Sequence, residues 1–86
     1  MNDKIKHLRQ RINQIDDELL KLLVLRARTA ISIGELKSQE TQPVRDETRE
    51  QQIIERILSL PHQPIPSAAL RRLYMRIMTI CRTIQQ

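Results

Sequence analysis

Aromatic residues are almost missing from this chain, which has no phenylalanine, no tryptophan and a single tyrosine, Tyr74. The apolar residues are almost entirely Leu, Ile, Ala, Val and Met, a composition that favours packing between helices over formation of a sheet. Only one glycine is present. These absences predict an all-α fold.

Cysteine and histidine are scarce as well. Cys81 is the only cysteine, which excludes a disulfide within the chain, and His7 and His62 are too few and too scattered to form a metal cluster with it. We therefore expect no metal ion and no other cofactor. The first residues lack the apolar core of a signal peptide, and no apolar run approaches the length of a membrane span. A cytoplasmic location is expected.

The length and charge of the chain limit its fold and its partners. Its 86 residues form at most one domain, expected to cover positions 1–86, and such a short chain buries little surface as a monomer. Fifteen Lys or Arg against ten Asp or Glu give a formal net charge of +5, which favours an anionic partner. Small dianions, nucleic acids and membrane surfaces all fit this charge, so the positions of the charges must distinguish them.

Prolines divide the chain into three stretches with helical periodicity. Pro43 follows the first stretch, and the proline-rich segment 61–66 separates the second from the third. We predict helices at about 3–40, 46–60 and 67–85. The first carries apolar residues at intervals typical of one helix face, namely Ile5, Leu8, Ile12, Ile15, Leu19, Leu22, Ile33 and Leu36.

The first helix is too long for one small chain to cover. It would extend about 55 Å, whereas a compact chain of this length has a radius of gyration of roughly 12 Å. A second copy of the chain is the simplest way to bury its apolar face, so a homodimer is expected.

Cations interrupt or flank this apolar face. Arg26 occupies the heptad position held elsewhere by Ile12 and Leu19, and Arg9 and Lys37 lie beside the same face. A charge in such a place requires a counter-ion or a ligand. A structural salt bridge or a side chain that extends into solvent is the alternative interpretation for each of them.

Further polar candidates lie in the second and third helices. Asp46, Arg49 and Glu50 share one helix face. Asp46 is first of all a helix cap, and an exposed ion-paired first turn is the commoner fate of residues such as Arg49 and Glu50. Cys81 and Gln85 are four residues apart and could both face the bundle. Together these residues predict an interior cluster of cations with an amide and one or two acids, which would bind a compact polyanion and act through orientation and electrostatics.

Six segments in this order resemble the all-helical chorismate mutases along nearly the whole chain. The resemblance implies three helices per chain that interlock with those of a second chain, two active sites per dimer, and rearrangement of chorismate to prephenate. The segments are Leu8-Arg9-x-x-Ile12, Ile15-Asp16, Leu22-Leu23-x-x-Arg26, Gly34-x-x-Lys37, Pro43-Val44-Arg45-Asp46-x-x-Arg49-Glu50 and Cys81-x-x-x-Gln85.

The same resemblance implies contacts to the two carboxylates of the substrate. Arg26, together with Arg9 of the partner subunit, would hold them, and Arg49 would support one of them from the rim of the site. Cys81 stands where the family usually has a serine that contacts a carboxylate, and a thiol is a much weaker hydrogen-bond donor.

The remaining implied contacts concern the ether oxygen and the ring hydroxyl. Lys37 and Gln85 would meet the ether oxygen, while Glu50 and the backbone near Asp46 would bind the hydroxyl group. A [3,3] rearrangement is unimolecular, so it needs no proton relay and no covalent intermediate.

Three other functions also fit parts of the sequence. The sister activity on this fold, isochorismate-pyruvate lyase, uses a related substrate, but Lys37 and the segment 43–50 favour the mutase. A helical nucleic-acid-binding module is suggested by the cations of the third helix, although stacking aromatics are lacking. A mutase-like dimer that binds without turnover is consistent with Cys81. The cations in question are Arg71, Arg72, Arg76 and Arg82.

Overall fold

The computed structural model describes residues 2–43 and 45–85 and contains three α-helices, which confirms the all-α prediction. Met1, Val44 and Gln86 lie outside the described residues, and Val44 is part of one of the six segments above. Each helix begins and ends within one residue of the expected range. The helices are α1 (Asn2–Gln39), α2 (Glu47–Ser59) and α3 (Ser67–Gln85).

Helix α1 ends before Pro43 in a C-terminal turn built by its own backbone. The amide of Gln42 donates to the carbonyl of Lys37 at 2.8 Å, and the amide of Thr41 donates to the carbonyl of Ser38 at 3.3 Å. This is a Schellman motif, which requires a left-handed residue; Thr41, with φ of 58°, occupies that position. The motif fixes the last turn of α1, which carries Lys37.

Helix α2 is capped by the residue expected from the sequence. Asp46 has an extended backbone, and its Oδ1 accepts a hydrogen bond from the amide of Arg49 at 2.9 Å. Glu47 and Glu50 lie in the first turn, where negative charge is favoured by the helix dipole. The helix ends at Ser59, ahead of the proline-rich connection to α3.

Helix α3 packs against both α1 and α2. The buried side chains of this small core come from all three helices. These side chains are smaller or more flexible than the aromatic side chains that fill many protein cores, consistent with the lack of Phe and Trp. The buried hydrophobic residues are Ala30, Ile54, Leu70, Met78 and Cys81.

The chain is elongated because α1 extends far beyond the other two helices. The principal extents are 60 × 23 × 16 Å, and the radius of gyration is 16.6 Å rather than the roughly 12 Å of a compact chain. All residues from 2 to 25 are exposed. The apolar face in this part of α1 is between 50 and 65% exposed at Ile5, Leu8, Ile12, Ile15, Leu19 and Leu22.

No helix formed by residues 2–43 and 45–85 combines the length and the hydropathy needed to cross a lipid bilayer.

Candidate active site

A cleft of about 340 Å³ lies where the three helices meet. Its apolar lining includes Ala30, Ile33, Ile53 and Met78. The structure brings seven of the eight candidate residues to this cleft. They are Arg26, Lys37, Asp46, Arg49, Glu50, Cys81 and Gln85.

Arg26 enters the cleft from α1 and is half-buried. Its Nη1 donates a hydrogen bond to Sγ of Cys81 on α3, at 3.2 Å. Cys81 is only 7% exposed, so its sulfur lies at the floor of the cleft and orients the guanidinium. A sulfur atom is a weak acceptor, so this contact restrains Arg26 without occupying its other four N–H groups.

Gly34 and Gln85 make the closest approach between α1 and α3. A Cβ atom at position 34 would lie 3.0 Å from both Cβ and Cγ of Gln85, a spacing that forces the neighbour to move. Gly34 is therefore needed for the present position of Gln85. The single glycine of the chain therefore serves a close contact between two helices.

The carboxamide of Gln85 ends in the cleft with unused hydrogen-bonding capacity. Its Oε1 is buried and lacks a hydrogen-bond partner among the described residues. A buried, unsatisfied amide oxygen is costly, and rotation of the carboxamide can present either its oxygen or its NH₂ group to a ligand. A polar ligand in the cleft would remove this cost.

Glu50 is held by two arginines on different elements. Nη1 of Arg82 lies 3.1 and 2.9 Å from the two carboxylate oxygens, and Nε of Arg45 lies 3.5 Å from Oε1. The sequence suggested an exposed ion pair as one fate for Glu50. It is ion-paired but half-buried, with its carboxylate at the cleft.

Arg82 is the site residue that sequence reasoning missed. The sequence distinguishes it only as one of the four cations of α3, yet it lines the cleft and contacts Glu50, 32 residues away in the sequence. Neither its spacing nor its neighbours along α3 distinguish it from the exposed Arg71, Arg72 and Arg76. The pairing arises only from the way in which α2 packs on α3.

The same finding weakens the nucleic-acid alternative. Of the four cations of α3, Arg82 turns towards α2 and is engaged in an ion pair, while Arg71, Arg72 and Arg76 remain at the surface. Three exposed arginines are consistent with an ordinary solvated helix face.

Cations outnumber acids around the cleft. This balance favours a ligand with more than one negative charge. Within residues 2–43 and 45–85, no group of three or more His, Cys, Asp or Glu side chains is arranged to hold a metal ion. The described lining residues that carry charge are Arg26, Lys37, Arg49 and Arg82, against Asp46 and Glu50.

Arg9 is the candidate residue that the structure does not bring to this cleft. It is exposed on α1, 17 residues before Arg26, which corresponds to about 25 Å along the helix. Within one chain, Arg9 therefore cannot contact a ligand bound beside Arg26.

Comparison with known proteins gives a consistent family assignment. Residues 8–86 match the family described as chorismate mutase type II. A bifunctional chorismate mutase/prephenate dehydratase of Aquifex aeolicus is 36% identical over 88 residues, covering 98% of this chain and 24% of the relative. A chorismate mutase of Methanocaldococcus jannaschii is 37% identical over 60 residues, covering 70% of this chain and 61% of the relative.

Solved structures agree in fold. A chorismate mutase of Thermus thermophilus (form II) superposes with a TM-score of 0.92 at 26% identity, covering 95% of this chain and 93% of that one. A chorismate mutase of Helicobacter pylori in complex with prephenate superposes with a TM-score of 0.88 at 28% identity, covering 96% of this chain and 90% of that one. The present chain spans about a quarter of the length of the bifunctional relatives that it matches. The family match extends over residues 8–86 and so includes every residue that lines the cleft. This chain belongs to the chorismate mutase type II family.

Proposed function

We propose that this chain rearranges chorismate to prephenate as a homodimer with two active sites. The observation that carries the proposal is the cleft itself, which combines Arg26, Lys37 and the buried amide of Gln85. These groups are suited to a compact dianion with an ether oxygen. The Helicobacter pylori relative, solved with prephenate, supports the same class of ligand.

Catalysis in this proposal rests on conformer selection and electrostatics. The cleft holds the substrate in a compact chair-like form, in which the two reacting carbon atoms are close. Negative charge grows on the ether oxygen because the C–O bond breaks ahead of C–C formation. The Lys37 ammonium and the Gln85 amide, both in the cleft, stabilise this charge in the transition state.

The other cleft residues bind the parts of the substrate that do not react. Arg26 holds a carboxylate, with its guanidinium oriented by Cys81. Arg49 is exposed at the rim and supports a carboxylate from there. Glu50 and the backbone near Asp46 bind the ring hydroxyl.

The second subunit buries the apolar face of α1 and completes each site. In the proposed dimer, Arg9 of the partner subunit joins Arg26 at the substrate carboxylates. The exposed apolar face of α1 and the distance of about 25 Å between these two arginines within one chain support this arrangement.

The first experiment measures the loss of chorismate absorbance with purified protein, with prephenate identified by its conversion in acid to phenylpyruvate. We expect saturable turnover that Arg26→Ala reduces at least about 1000-fold, because a bound carboxylate loses its bidentate partner. The matched control is Arg71→Ala, which removes an exposed arginine from α3 and should leave turnover unchanged. A folded, dimeric protein that releases pyruvate from isochorismate and leaves chorismate intact would contradict the proposal.

A second experiment tests whether two subunits share each site. We expect Arg9→Ala and Arg26→Ala each to be inactive as homodimers, whereas a heterodimer of the two variants would have one site with both arginines. Random reassociation of equal amounts should restore about one quarter of the wild-type activity, since half of the dimers are mixed and each of these has one intact site. If mixing restores no activity although the subunits exchange, the two arginines do not meet across the dimer.

A further inference from the structure

Arg82 is fixed at both ends of its guanidinium group. Nη1 lies within 2.9 and 3.1 Å of the two oxygens of Glu50, while Nη2 donates to Oγ1 of Thr79 at 3.1 Å. The Thr79 hydroxyl in turn donates to the carbonyl of Met75 at 2.9 Å. A chain of hydrogen bonds therefore connects the backbone of α3 to the carboxylate on α2.

Burial makes this ion pair stronger than a surface salt bridge. The side chains of Arg82 and Glu50 are 25% and 19% exposed, whereas the other cation near the carboxylate, Arg45, is 56% exposed and lies farther away. Exposed pairs contribute little, while partly buried and charge-assisted hydrogen bonds are shorter and stronger. Arg82 is thus the main restraint on the orientation of Glu50.

The restraint leaves Glu50 able to bind a ligand. An ionised carboxylate offers about four lone-pair sites, of which Arg82 and Arg45 engage only a part. A carboxylate that is already oriented loses less conformational entropy when it accepts one more hydrogen bond.

We infer that Arg82 is a positioning residue that sets specificity for the ring hydroxyl of the substrate, because it holds the Glu50 carboxylate where that hydroxyl can donate to it. This role rests on the proposed function. The guanidinium acts through Glu50 and does not itself touch the reacting atoms. Thr79 supports the same role by fixing the far side of the guanidinium.

The test compares Arg82→Met on chorismate and on an analogue in which hydrogen replaces the ring hydroxyl. With chorismate, kcat/KM should fall about tenfold, mainly through KM, because the hydroxyl contact exists in both the ground state and the transition state. With the analogue the loss should stay below about twofold, since the contact supported by Arg82 is already absent. Arg72→Met, an exposed arginine of the same helix, is the matched control and should change neither value.

Two further variants guard against simple misfolding of Arg82→Met. Thr79→Val keeps the shape of the side chain but removes the hydroxyl, and it should cause a smaller loss with the same dependence on the substrate. Arg82→Met added to Glu50→Ala should cause no further loss on chorismate, because the residue through which Arg82 acts has been removed.

The outcomes separate this role from the proposed function. If the wild-type protein turns over chorismate but Arg82→Met loses equally on both substrates, Arg82 is a structural residue and the inference is wrong. The inference also fails if Thr79→Val and Arg82→Met both behave like wild type. If the wild-type protein rearranges neither substrate, the proposed function is wrong, and the role inferred for Arg82 is wrong as well.

Discussion

The chain has two regions that differ in how much of their surface one subunit can bury. The N-terminal arm, residues 2–25, is exposed along its whole length, including its apolar face. The cleft region, residues 26–43 and 45–85, contains all of the described buried side chains and seven of the eight candidate site residues. One region therefore forms the cleft, and the other exposes an apolar face that the proposed dimer would bury.

The difference has an energetic cause. The six large aliphatic side chains on the apolar face of the arm are 50–65% exposed, and burying their exposed surface would contribute on the order of 5–10 kcal/mol per chain. The cleft region has a small core without aromatic residues, so its own margin of stability is narrow. In the proposed dimer, the arm supplies both the missing burial and one arginine.

The largest expected effect comes from the arm. Ile12→Glu places a carboxylate on the apolar face, where burial of an unpaired charge costs several kcal/mol per subunit. We expect loss of the dimer by analytical ultracentrifugation and a fall in activity on the order of 1000-fold, although Ile12 is far from the cleft of its own chain. Gln10→Glu makes the same change of charge on the opposite face of α1 and should remain dimeric and active. An active, dimeric Ile12→Glu variant would mean that the arm is not the subunit contact.

The next effect belongs to the cleft region alone. Lys37→Ala removes a cation that lines the cleft, and we expect kcat to fall on the order of 100-fold with little change in KM, because the charge on the ether oxygen exists only in the transition state. The dimer should be unaffected. Steady-state kinetics check this result, and a variant in which only KM rises would refute the role of Lys37. Glu35→Ala, an exposed change on the same turn of α1, is the control.

A smaller effect tests how closely α1 and α3 must approach. Gly34→Ala places a Cβ 3.0 Å from Cβ and Cγ of Gln85 and should displace its amide, lowering kcat about tenfold. Alanine is a better helix former than glycine by about 1 kcal/mol, and this gain offsets the cost of the close contact with Gln85. The thermal midpoint should therefore change little. Ser32→Ala, at an exposed position of the same helix, gives the control for helix propensity. Unchanged turnover would show that Gln85 adjusts without loss.

The smallest effect concerns the floor of the cleft. Cys81→Ser replaces a weak hydrogen-bonding group by a better one beside Arg26, and kcat/KM should be preserved or should rise within about fivefold. Cys81→Ala removes the hydrogen bond to Arg26 and should lower kcat/KM. A large loss for Cys81→Ser would indicate that the buried thiol is required for packing.

Much of the fold could be predicted because its signals are local. The period of the apolar residues and the prolines at 43 and 61–66 gave helix bounds within one residue of those observed, and Asp46 was expected as the cap that it is. The presence of Arg26 in an apolar register pointed to a real feature, because Arg26 lines the cleft. The single domain and the cytoplasmic location stay predictions.

The sequence by itself therefore determined the three helices, their ends, and which residues interrupt an apolar face, since these depend on spacing along the chain. Only the tertiary structure decided that Arg82 contacts Glu50, that Cys81 orients Arg26, and that Gln85 packs on Gly34. Each of these contacts joins residues more than 30 positions apart. Their formation depends on how α3 packs against α1 and α2, and no pattern within one helix specifies that packing.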